Sequence, residues 1–103
     1  MTTFDKREEG FEKRFALEEE AKFKALARRN KMAGLWAAEK FGLSGAEAEA
    51  YAKDVVLAEI EGISVFAKLR KDFDAKGVAQ SDHQIQRTLD ELMAKAVAQV
   101  KAG

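Results

Sequence analysis

The chain is 103 residues long, enough for one modest hydrophobic core and too short for two. Apolar residues make up 47% and charged residues 35%; there is no Cys, which excludes disulfides and thiolate chemistry, and no Pro, which favours helix nearly everywhere. Eighteen Lys and Arg balance eighteen Asp and Glu, so whole-chain electrostatics point to neither nucleic acid nor a membrane surface.

The balance hides a segregation. Residues 1–20 carry four Lys/Arg and seven Asp/Glu, residues 21–41 six and one, and residues 42–103 eight and ten. There is no signal-peptide-like apolar run and nothing near the roughly 18 apolar residues of a membrane span. A soluble, cytoplasmic protein is expected, without direct membrane insertion and monomeric when free.

In residues 1–20, at about 100° per residue, Phe4, Phe11 and Phe15 fall within roughly 40° of one another. Around this thin stripe the positions are mostly charged, with Glu9 and Lys13 at the favourable i,i+4 spacing. Thr3 is suited to cap a helix start, and Gly10 weakens a helix by about 1 kcal/mol relative to Ala. A lone helix of this length is marginal in water. The segment is therefore expected to be partly disordered when free and helical when bound. A frayed tail without a role is the competing reading.

Residues 21–41 predict the first firm helix. Its apolar side runs through Phe23, Leu26, Ala33, Trp36 and Ala37. Lys24, Arg28, Arg29 and Lys31 share an arc of roughly 160°, most of it on the other side, where Leu35 also falls. Contact from more than one direction is expected. Gly34 permits close approach of another backbone, and Gly42 ends the helix.

Residues 44–61 predict a second helix, opened by a Ser44–Glu47 capping box. Its apolar side is Ala48, Tyr51, Ala52, Val55, Val56 and Ile60, with Glu59 the one polar interloper. Residues 65–76 predict a short third helix with Ser64 as N-cap, inward Val65, Phe66, Leu69 and Phe73, and a Gly77–Val78 ending. Residues 82–101 predict the fourth, with a Ser81–Gln84 capping box and the stripe Ile85, Leu89, Leu92, Met93, Ala96 and Val100. Short connections favour antiparallel neighbours, hence an all-α fold: a four-helix bundle preceded by a flexible, partly helical N-terminal arm. The arm is assigned residues 1–19 and the bundle 20–103.

Catalytic chemistry is not in view. With one His and no Cys there is no metal set, and no glycine-rich phosphate loop occurs. Ser81, Asp82 and His83 are adjacent in one turn and point apart, so they make no triad. The acidic run Glu18–Glu20 reads as a solvated face. No enzyme is expected. The basic arc Lys24, Arg28, Arg29, Lys31 is the best local binding surface. It can be an ordinary solvated face, a contact for an acidic protein surface, or a phosphate site for a nucleotide or RNA. Zero net charge and acidic flanks weigh against nucleic acid.

The runs ARRNKMAGLWAAEKFG (27–42), AEAYAKDVV (48–56), KGV (76–78) and DELMAKA (90–96), with FDKRE and FEKRFA near the start, together resemble the zeta subunit, the inhibitor of the alphaproteobacterial F-type ATP synthase. The resemblance covers nearly the whole chain, through ARRNK, GLWAAE and EAYAK in order at fitting spacings. It implies a four-helix core with a mobile arm that becomes helical on entering a catalytic interface between the alpha and beta subunits. There it reaches toward the central rotor, the gamma subunit, and stops hydrolytic rotation. The protein would then be peripheral on the cytoplasmic face of the inner membrane. Carried onto this chain, Phe4, Phe11 and Phe15 would fill apolar pockets, and Lys6, Arg7, Lys13 and Arg14 would meet acidic groups of the host. No cofactor is implied beyond weak adenine-nucleotide binding by the basic arc. The mitochondrial analogue resembles a histidine pH switch; here the arm has no His and the only one, His83, lies in the last helix, so arm titration should give inhibition little pH dependence.

Overall fold

The computed structural model describes residues 19–103. The expectations for Phe4, Lys6, Arg7, Phe11, Lys13, Arg14 and Phe15 lie outside the described residues. Four helices follow in order: α1 (Glu19–Lys40), α2 (Gly45–Ile60), α3 (Val65–Lys76) and α4 (Asp82–Ala102). α1 packs against both α2 and α4; α3 completes the bundle on α2 and α4 and touches α1 more lightly. This bears out the expectation that α1 is contacted from more than one direction.

Small residues let α1 take that central place. Ala25, Ala33, Ala37 and Ala38 are fully buried on it, and Gly34 abuts α2. A Cβ placed on Gly34 would lie 2.5 Å from the Ala52 Cα, which is backbone and cannot swing aside. Gly34→Ala should therefore lower stability by about 1–2 kcal/mol, because overpacking of about 1–3 kcal/mol outweighs the helix-propensity gain of about 1 kcal/mol. Urea unfolding checks this; a variant as stable as the parent would mean the helices do not approach so closely.

The helix ends follow local chemistry. The Ser64 hydroxyl accepts from the Ala67 N–H at 3.1 Å, and Ser81 and Gln84 form the full capping box. Gly77 sits at φ +67°, so the Val78 N–H reaches back to the Phe73 carbonyl at 3.0 Å, the Schellman arrangement. Ser44 departs from expectation. It stands at the N-cap of α2, but its side chain makes no capping bond. The reason is Gly45, the first helical residue, at φ +56°: the chain enters from the left-handed region, and the first-turn N–H groups do not come round to the Ser44 hydroxyl.

The densest packing is at the far end of α1 from its start. Phe73 is fully buried, with Trp36 edge-on at 5.5 Å between ring centroids and Phe41 at 4.9 Å; Phe41 in turn meets Tyr51 at 5.3 Å. The Tyr51 hydroxyl donates to Asp72 at 2.7 Å, and Lys68 pairs with Asp72 at 3.0 Å. Burial and then that carboxylate push the phenol well above its usual range, so it stays neutral and keeps donating. Arg70 ties α3 to the next connection, donating to the Gln80 carbonyl and to Asp74 and Asp82.

Two residues assigned to the apolar side are not inside. Phe23 is 69% exposed and Ile60 75%. The antiparallel register explains both. Asn30 is bonded to Glu59, and α2 ends one residue later. At 1.5 Å per residue, α1 from Asn30 back to Glu19 overhangs that contact by about 16 Å. Phe23, seven residues before Asn30, has little of α2 opposite it, and Ile60 is the rim.

Candidate interaction surface

The basic arc does not act as a unit. Lys24 pairs with Glu20 at 3.6 Å within α1. Arg28 reaches across to Gln99 on α4 at 3.4 Å. Arg29 turns to Glu59 on α2 at 3.3 Å, and Lys31 lies 3.8 Å from Glu49 on the same helix. The four side chains thus disperse, Lys24 along α1 itself, Arg28 to α4, and Arg29 and Lys31 to α2, each with a partner. Lys24 and Arg28 remain together along a shallow cleft of about 320 Å³ that also holds Glu20 and the chain end at Gly103. That mixed company suits an anion poorly.

Arg29 belongs to a different device. Asn30 is the one buried polar residue among those described, only 3% exposed. Its Nδ2 donates to Glu59 Oε2, and its Oδ1 accepts from Arg29 Nε at 2.9 Å; the Arg29–Glu59 contact closes the ring. No buried side-chain polar atom among the described residues lacks a partner. An axial slip of α1 against α2 would strip Asn30 of its acceptor in a low-dielectric site, so the triad penalises every other register. The signal was available in the sequence. Asn30 falls in step with Leu26, Ala33 and Ala37, and Glu59 is the polar residue on the apolar side of α2. Two polar residues at core positions of antiparallel neighbours are candidates to meet.

Above this triad lies a groove of about 550 Å³ with mostly apolar walls, Phe23, Leu26 and Ala27 on α1 facing Val56 and Ile60 on α2. On the other flank of the α2 end, Leu57 and Ile63 border a second depression against Ala67 on α3. Phe23, Leu57, Ile60 and Ile63 are the exposed large hydrophobics among the described residues, and all four gather at the end where α1 begins. His83 is exposed in the first turn of α4, Ser81 is spent as a cap and Asp82 on Arg70. No group of His, Cys, Asp or Glu is placed to hold a metal ion among the described residues.

A small all-α bundle with its large exposed apolar side chains near one end offers a surface suited to contact with another macromolecule. Residues 1–99 match the model of the ATPase inhibitor subunit zeta family, and the chain belongs to that family. A solved solution NMR structure is 43% identical, covering 78% of this chain and 94% of that one, with a TM-score of 0.66. No match is found among curated proteins. Family membership supports a regulatory, non-enzymatic role as an inhibitor of ATP synthase that associates with it. No described helix is long and apolar enough to cross a membrane.

Proposed function

We propose that the protein blocks rotary ATP hydrolysis by inserting residues 1–19 at an alpha/beta catalytic interface of the F-type synthase, toward the gamma subunit. Residues 20–103 are the bundle that carries this arm. Phe4, Phe11 and Phe15 fill apolar pockets, while Lys6, Arg7, Lys13 and Arg14 meet acidic groups. The reading requires no cofactor, and it places the bound protein on the cytoplasmic face of the inner membrane. The observation that carries it is the span of the family match, which begins at residue 1 and so takes in the arm as well as the bundle. Titrating the full chain into purified synthase while following ATP hydrolysis tests it: activity should fall to near zero at saturation, and undiminished hydrolysis would refute it.

The alternative is a module binding a nucleotide or RNA through Lys24, Arg28, Arg29 and Lys31. The intrachain partners of all four weigh against it. Lys24 and Arg28 separate the readings without touching the triad around Asn30. Reversing both charges should change the half-inhibiting concentration by no more than roughly threefold, as for exposed rim charges. A loss of inhibition together with lost nucleotide binding would favour the alternative.

A further inference from the structure

We propose that the apolar patch around Phe23 and Ile60 is a second docking surface for the ATPase, seated against an apolar surface at the mouth of the crevice that the arm enters. This rests on the arm-insertion reading and adds to it the partner of a surface on the bundle.

The argument begins with position. Glu19 opens α1 and Phe23 follows four residues later, about 6 Å along the axis. Any host that grips residues 1–18 to their end has its own surface within side-chain reach of Phe23. The rotational and translational cost of bringing the two together is then already met by the arm, so further apolar contact adds to affinity almost in full. The bundle presents its unburied apolar side chains at this end. At the other end the aromatic residues Trp36, Phe41 and Tyr51 are packed around Phe73.

The chemistry narrows the partner. The groove walls are uncharged, and the carboxylate at the floor, Glu59, is engaged by Asn30 and Arg29. An apolar side chain fills the groove and leaves that triad intact. The triad also locks α1 to α2, so the groove is formed before the partner arrives. A second copy of this chain on the same patch would bring two arms to one junction and obstruct the entry of either.

Full-length Ile60→Ser and Phe23→Ser test the proposal. Both side chains are largely in solvent, so melting temperatures should stay close to the parent's. Each substitution should raise the half-inhibiting concentration about tenfold, as expected for a residue at the centre of an interface. Inhibition at saturation should stay complete, because the arm still blocks. Unchanged half-inhibiting concentrations, with Phe11→Ala still weakening inhibition, would overturn the patch and leave the arm reading standing. A lowered half-inhibiting concentration would mean that the patch stores the arm in the free chain. A free chain that sediments as a dimer, dissociated by Ile60→Ser with inhibition unaltered, would assign the patch to a second copy. Parent protein that never inhibits would remove the arm reading itself.

Discussion

Phe73→Ala is expected to lower the stability of the bundle by about 3–5 kcal/mol, the range for truncating a fully buried Phe in a core that cannot collapse to fill the space. Collapse is hindered here because the ring is held from two sides. Trp36 and Phe41 both rest on it, and both sit at the end of α1, whose position is fixed by Gly34 against Ala52 and by the Asn30–Glu59–Arg29 triad. Total stability for a domain of this size is about 5–15 kcal/mol, so the variant should melt far below the parent. Circular dichroism at 222 nm with temperature measures it. A shift of only a few degrees would mean that Trp36 and Phe41 close over the cavity. At a temperature where the variant is still folded, its inhibition of the synthase should match the parent's, since Phe73 lies at the end remote from the α1 start.

The second large effect is at the other end of the chain. Phe11→Ala or Phe15→Ala should weaken inhibition by about 2 kcal/mol or more, roughly thirtyfold in the half-inhibiting concentration, as for a buried interface anchor. The two residues are four apart in the sequence, the spacing that would put them on one side of a helix with Phe4. Neither change should alter the melting of the bundle, which separates loss of grip from loss of fold. An unchanged inhibition constant would rule out the stripe as the anchor.

What the sequence made legible was mostly local. Ser64, Gly77 and the Ser81–Gln84 box could be assigned because a cap is decided by residues within one turn of it. The same logic misfired at Ser44, where the neighbouring Gly45 takes a left-handed conformation that a capping pattern does not anticipate. The core stripes of α3 and α4 were legible from periodicity, since each of these helices presents one strongly apolar face. α1 was harder. It is gripped by α2 and α4 at once, so its buried residues spread over a wide arc of Ala and Gly rather than a stripe.

Phe23 and Ile60 were assigned inward because periodicity says which side of a helix is apolar and not how far the neighbouring helix extends. Their exposure is a matter of register, and register is set by pairwise contacts such as Asn30 with Glu59. The basic arc was found where expected on α1, but long side chains travel. Arg28 and Arg29, neighbours in sequence, commit to opposite helices. The interaction surface that emerged is instead the apolar end.

The central claim is that the leading residues do the blocking and the bundle carries them. The most direct test is ATP hydrolysis by purified synthase with saturating full chain or with a chain lacking residues 2–19, the folded state of the latter first checked by circular dichroism. The account predicts near-complete arrest by the full chain and none by the shortened one at the same concentration. A folded, shortened chain that halts hydrolysis as well as the full chain would contradict it.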